Sequence, residues 1–158
     1  RNHGMVDRDR IEFWGINARL QPFQAIVALE GLKKINNVIK IRNENAKKMD
    51  KLLSNLYPNV IIPKRLKGHK ETYALYMCLF KKRDLLKEYL EKNNIETKIH
   101  YPIPLNMQKA AINMKLAQKN FKNANSQAKK LLTIPIHQYL KKKQIEYIAK
   151  KIKYFYNN

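Results

Sequence analysis

The longest regular series of apolar positions begins at Pro22, a residue suited to a first helical turn. From there Phe23, Ile26, Val27, Leu32, Ile35 and Ile39 recur mostly at three- and four-residue steps, and Met49, Leu52, Leu53 and Leu56 extend the series. The spacing predicts one long helix, or a bent pair, over 22–56. Gly31 and Asn36-Asn37 are the places for a bend, since Gly and Asn propagate a helix poorly. Ahead of it, residues 1–19 read as a loop-rich segment punctuated by Gly4 and Gly15, with Trp14 as a large apolar anchor.

After the helix the period changes. "YPNVIIP" reads as a turn and a short strand, "KRLKGHKE" around Gly68 as a loop, and the continuously apolar "TYALYMCLF" as a strand covered on both faces or lying mid-sheet. Helical spacing returns over 83–92, with Leu85, Leu86, Tyr89 and Leu90 as its buried stripe, and Asn93-Asn94 ends it. "IETKIHY" then alternates strictly, with Ile95, Thr97, Ile99 and Tyr101 on one face and Glu96, Lys98 and His100 on the other, which predicts a strand. Pro102 and Pro104 stop it, so a rigid elbow carries His100 and Tyr101 to the rim of a sheet, where ligands are met. Short helices are expected around 107–118 and 126–132. A last helix places Ile145, Ile148, Ala149, Ile152, Phe155 and Tyr156 on one face against a lysine-rich back. The class is α+β, a small, mostly antiparallel sheet covered by helices.

Composition changes this picture little. A chain of 158 residues with 44% apolar content is expected to fold as one globule with a packed core, despite a net charge of +21. Of the 33 basic residues 26 are lysine, and Asn and Ile are also abundant, the pattern that adenine- and thymine-rich codons produce without any partner being selected. The densest run is Lys141 to Lys143, with no Arg-rich or aromatic-interleaved segment beside it. The reading is therefore a solvated lysine face, with no nucleic-acid partner. The one cysteine, Cys78, sits in an apolar run and is assigned to the core, and a single thiol suits a reducing cytoplasm. No apolar run approaches the ~20 residues of a membrane helix, and no membrane or signal segment is expected. The opening "RNHGMVDRDRIEFWG" has no Met at position 1, and the chain is expected to be a piece of something longer.

For chemistry, the four histidines are scattered, so no metal site is expected. The four isolated glycines form no phosphate loop, and Asp7 and Asp9 belong to a charged loop rather than a two-carboxylate site. Two polar clusters remain. In "GINARL", Asn17 either turns the chain while Arg19 pairs with a surface acid, or both are presented to an anion such as a phosphate or carboxylate. In "IHYPIP", the tyrosine either packs at the sheet edge beside an exposed histidine, or the pair meets a ligand.

In order, the segments "RNHG", "GINARLQPFQAIVALEGL", "RNENA", "KIHYPIPLNMQKA" and "IPIHQYL" resemble the C-terminal half of the DegT/StrS family of sugar aminotransferases. The resemblance covers essentially the whole chain and implies the aspartate aminotransferase fold (fold type I). Residues 1–56 would be the end of the large cofactor domain and the long linking helix, and 57–158 the small C-terminal domain. It implies an enzyme that uses pyridoxal 5'-phosphate to move an amino group from glutamate to a nucleotide-linked keto-sugar, as a cytoplasmic homodimer in polysaccharide or secondary-metabolite sugar synthesis. The Schiff-base lysine of the family lies upstream of "RNHG", and "IPKRL" around Lys64 is no substitute, so the chain alone is expected to be inactive. By the same resemblance Asn17 would bond the cofactor phosphate across the dimer boundary, with Arg19 beside it as an anion partner. His3, His100 and Tyr101 would face the sugar-nucleotide cleft. Asn106 stands where the family often has a histidine. The alternative is a non-catalytic remnant that dimerises, or a basic anion-binding module.

Overall fold

The computed structural model describes residues 3–16, 18–114 and 121–158. They form two compact units, 1–37 and 38–158, rather than the single globule that the length suggests.

In the first unit the chain doubles back on itself. Met5 and Ile11 form an antiparallel bridge, and the Glu12 amide donates to the Gly4 carbonyl at 2.9 Å. The turn between them is built by Asp7, whose Oδ1 accepts the amides of Asp9 and Arg10 at 3.0 and 2.9 Å. The Arg10 side chain donates to Asp7 Oδ2 at 2.7 Å and holds that carboxyl below the usual carboxylate range. Trp14, expected as an anchor, is instead 96% exposed. An apolar side chain anchors only where another surface covers it.

Helix α1 (Pro22–Leu53) is continuous through Gly31 and Asn36-Asn37, and a 3₁₀ turn, Ser54–Leu56, follows it. Its start is Gln21, whose amide donates to the Gln24 side chain at 3.1 Å, with Pro22 at the first helical position. Along α1 the apolar stripe has two fates. Phe23, Ile26, Val27, Leu29 and Leu32 are exposed, whereas Ala46, Met49 and Leu53 are fully buried.

The second unit is organised on a three-stranded antiparallel sheet in the order β1 (Val60–Ile61), β2 (Tyr76–Phe80), β3 (Leu131–Ile134). Its register sets Val60 opposite Phe80 and Tyr76 opposite Ile134. β2 is the middle strand, with Tyr76, Cys78 and Phe80 buried and Met77 and Leu79 half-covered, so it is closed on one face more than the other. Burial pushes the Cys78 thiol up to about 12, which keeps it protonated and inert at neutral pH.

Helix α2 (Arg83–Lys92) has the bounds its periodicity predicts, with Leu86 and Leu90 buried. Leu85, expected in the same stripe, is exposed, and the buried first position is Arg83, whose Nη1 donates to the carbonyls of Ala128 and Leu131 at 3.2 and 2.9 Å. After α3 (Lys109–Asn113) and α4 (Lys122–Ala128), Leu131 and Leu132 belong to β3, not to a helix over 126–132. A short apolar run is ambiguous by periodicity, and here pairing with β2 decides it. The predicted helix over 107–118 is described only as far as residue 114. Helix α5 (Lys142–Asn157) buries Ile145, Ile148, Ala149 and Ile152, with Phe155 and Tyr156 half-covered. Among the described residues no helix is long and apolar enough to cross a membrane.

Candidate functional site

The rim of the second unit is set by how α2 ends. The Asn94 amide donates to the Glu91 carbonyl and the Ile95 amide to the Leu90 carbonyl, at 3.0 and 2.9 Å, with Asn94 at φ 57. This is the left-handed C-terminal stop in which an Asn replaces the usual Gly, and buried Leu90 and Ile95 supply its apolar contact. The chain then leaves the helix on a fixed course beside β3.

It meets β3 at one residue pair. Lys98 N–H donates to the Thr133 carbonyl at 3.1 Å, and Thr133 N–H donates back to the Lys98 carbonyl at 2.9 Å. The strand expected over 95–101 is therefore a single bridge. Its alternation is still visible in burial: Ile95 and Thr97 are 4% and 8% exposed, while Glu96 and Lys98 are exposed. It breaks at Tyr101, grouped by the alternation with Ile95, Thr97 and Ile99 but 83% exposed, because its φ of 57 turns the chain out of the extended course. A tyrosine in that backbone region is uncommon and costs on the order of 1–3 kcal/mol, and such residues concentrate at functional sites.

His100 is half-buried, and its Nδ1 lies 2.7 Å from Thr133 Oγ1. Its ring centroid is 6.2 Å from that of Tyr101, with the planes at 57°. The proline elbow follows: Pro104 is extended at φ −64, ψ 153 and leads into a 3₁₀ turn, Leu105–Met107. Gln108 Nε2 closes that turn onto the Ile103 carbonyl at 3.1 Å. Asn106 is engaged by α4, its Nδ2 donating to Asn125 Oδ1 at 3.1 Å. Next to the rim is an open cavity of about 450 Å³ whose lining includes Tyr76, Thr97, Lys98, Thr133, His137 and Tyr147.

The sequence-expected residues fall in both units. His100 and Tyr101 stand together on this rim. In the first unit, His3 is exposed at φ 56, its amide donating to the Ile16 carbonyl at 3.2 Å, and Arg19 is exposed just before α1. Asn17 lies outside the described residues. Among the described residues no three His, Cys, Asp or Glu side chains converge as a metal site.

Two of the segments singled out in the sequence hold each other in place. Arg42 Nε donates to Gln138 Oε1 at 2.9 Å, and Asn45 Nδ2 donates to the His137 carbonyl at 2.9 Å, so "RNENA" of α1 clasps "IPIHQYL". A further cluster had no signal in the sequence: Asp50 on α1, Arg65, Glu71 and Tyr73 in the loop after β1, and Tyr76 at the start of β2. Arg65 grips Asp50 with two bonds of 3.1 Å, and the Tyr76 hydroxyl donates to the same carboxylate at 2.6 Å. These contacts tie the C-terminal part of α1 to the sheet.

A model of the DegT/DnrJ/EryC1/StrS aminotransferase family matches residues 1–153, and the chain belongs to that family. It is 26% identical over 159 residues to the pleiotropic regulatory protein of Geobacillus stearothermophilus, covering 100% of this chain and 43% of that one. It is 26% identical over 152 residues to the dTDP-3-amino-3,6-dideoxy-alpha-D-galactopyranose transaminase of Aneurinibacillus thermoaerophilus, covering 96% and 41%. Among solved structures, a DegT DnrJ EryC1 StrS aminotransferase from Brucella abortus superposes with a TM-score of 0.87 at 26% identity, covering 99% of this chain and 41% of that one. The fold is thus that of a fold type I aminotransferase, and the chain spans about two fifths of the length of the proteins it matches.

Proposed function

We propose that the chain supplies the small domain and part of the cleft of a pyridoxal-phosphate aminotransferase that transfers an amino group from glutamate to a nucleotide-linked keto-sugar. Family membership over residues 1–153 supports the reaction class, and the observation that carries the reading is the rim, where half-buried His100 is bonded to Thr133, a lining residue of the open cavity, and Tyr101 stands exposed beside it. On this reading 1–56 are the end of the cofactor domain and the linking helix, and 57–158 the small domain. The exposed apolar stripe from Phe23 to Leu32 is then the surface that the remainder of the enzyme covers.

The donor set ahead of α1 suits a phosphate. Arg19 offers a guanidinium fork just before the N-terminus of a 32-residue helix, where the backbone itself favours negative charge. Asn17 and Arg19 are the proposed cofactor-phosphate residues, reaching across a homodimer boundary. When bound, the cofactor supplies the electron sink that the amino transfer needs, and the lysine that anchors it belongs to another part of the enzyme. His3, His100 and Tyr101 bind and orient the sugar nucleotide. The proposed setting is the cytoplasm, in keeping with one cysteine that is buried and unpaired.

The experiment is Arg19→Ala in the complete enzyme, read as the dissociation constant for pyridoxal phosphate. Losing a charge-assisted bond of about 2 kcal/mol should weaken it roughly thirtyfold, with Arg19→Lys between the two. An unchanged constant removes Arg19 from the site.

A further inference from the structure

We propose that Thr133 is the positioning residue for His100, aiming its ring so that Nε2–H, a hydrogen-bond donor, is presented to an oxygen of the bound ligand. This rests on the reading that the rim faces substrate, and it adds to that reading a partner atom and a direction of hydrogen bonding.

The register produces the contact. Lys98 and Thr133 form a doubly bonded antiparallel pair, so their side chains share a face of the sheet, and His100, two residues on, lies diagonally across the same face. That places Nδ1 at 2.7 Å from Thr133 Oγ1. Both backbone groups of Thr133 are already used by Lys98, which leaves the hydroxyl as its one uncommitted polar group. Threonine is stiff at χ1, and on a paired strand its hydroxyl has a set direction, so the ring is aimed by a rigid element rather than by a loop.

Counting protons favours one direction of the bond. If the threonine O–H donates to Nδ1, the hydroxyl proton and the Nδ1 lone pair are both satisfied, and the ring proton sits on Nε2. If Nδ1–H donates instead, the half-buried hydroxyl has to turn its proton to solvent, since no other acceptor for it stands among the described residues. The first arrangement keeps that proton inside the protein. It leaves His100 unable to serve as a base at Nε2 and well suited to a phosphate, hydroxyl or carbonyl oxygen, the atoms a sugar nucleotide offers in quantity. The neighbouring Tyr101, turned out at φ 57, then gives the same ligand an aromatic face.

The test is nitrogen-15 spectroscopy of the imidazole in the full 158-residue chain. The wild type should show Nε2 protonated and Nδ1 bare, with a slowly exchanging Thr133 hydroxyl proton coupled to Nδ1. Thr133→Val should abolish that proton and move both ring nitrogens toward the values of a ring exchanging between tautomers, and Thr133→Ser should restore the wild-type pattern. A wild-type ring protonated at Nδ1, or a Thr133→Val ring whose nitrogens keep their wild-type shifts, overturns the proposal. Should the valine variant not fold, the wild-type spectrum alone decides between the two proton placements. These spectra need no ligand, so an enzyme in which His100→Asn leaves substrate binding unchanged would remove the role in the cleft while leaving the Thr133–His100 result standing.

Discussion

Replacing Asp50 by alanine should lower the unfolding temperature by roughly 6–12 °C, the shift that a loss of about 3 kcal/mol produces in a domain of this size. The carboxylate is the hub of three elements. Its Oδ1 takes bonds from Arg65 Nη2 and from the Tyr76 hydroxyl, and its Oδ2 takes one from Arg65 Nε. The side chains of Arg65 and Asp50 are only 29% and 21% exposed, and the guanidinium lies 5.2 and 5.5 Å from the ring centroids of Tyr73 and Tyr76. Burial alone would make the guanidinium easier to deprotonate, but the bond and charge of Asp50 outweigh it and hold the proton more firmly than usual. An exposed pair would be worth little, whereas here removal leaves Arg65 with only its 3.4 Å contact to Glu71 and the buried Tyr76 hydroxyl without its acceptor. Arg65→Lys should recover only part of the stability, since a single ammonium cannot reproduce the two parallel bonds. Thermal unfolding followed by circular dichroism checks this, and a shift under 2 °C would show the cluster to be incidental.

The second large effect is expected at Gly4→Ala. Gly4 has φ 76, and a Cβ there would stand 1.6 Å from the Phe13 carbonyl oxygen. A Cβ on Gly15 would stand 2.5 Å from the Gly4 nitrogen, so the two glycines mark one point where backbone crosses backbone. An alanine must push the crossing open and break the bond from the Glu12 amide to the Gly4 carbonyl. Hydrogen-exchange protection of the Glu12 amide should fall by about a hundredfold, corresponding to about 3 kcal/mol of local stability. The amides of β2 and β3 should keep theirs. Equal protection at Glu12 in the variant would mean that the loop has another way to close.

Much of this architecture was legible in the chain because burial writes itself as periodicity. Leu86 and Leu90 on α2 and Ile145, Ile148 and Ile152 on α5 are spaced as one helical face and lie in the core. The antiparallel sheet with Tyr76–Phe80 at its centre was likewise expected from an uninterrupted apolar run. Alternation reports which way side chains face and says nothing about how many ladder bonds form, so 95–101 kept its inward residues up to Ile99 yet made one bridge. The candidate rim was found because two prolines after a strand-like run are a local signal. The Asp50–Arg65–Tyr76 cluster is assembled from positions 50, 65 and 76, at intervals no helix or strand repeats, and only the tertiary fold brings them together. Trp14 and the Phe23–Leu32 stripe show the converse case, an apolar pattern whose cover is not among the described residues.

If this chain forms one wall of a sugar-nucleotide cleft, a crystal structure of the complete enzyme with pyridoxal phosphate and a nucleotide-linked sugar will show the contact. His100 Nε2 should stand at about 3 Å from a ligand oxygen, with Arg19 against the cofactor phosphate. A ligand bound with the His100–Tyr101 rim turned away from it, covered by another part of the protein or open to solvent on the far side, would mean that this chain forms no such wall.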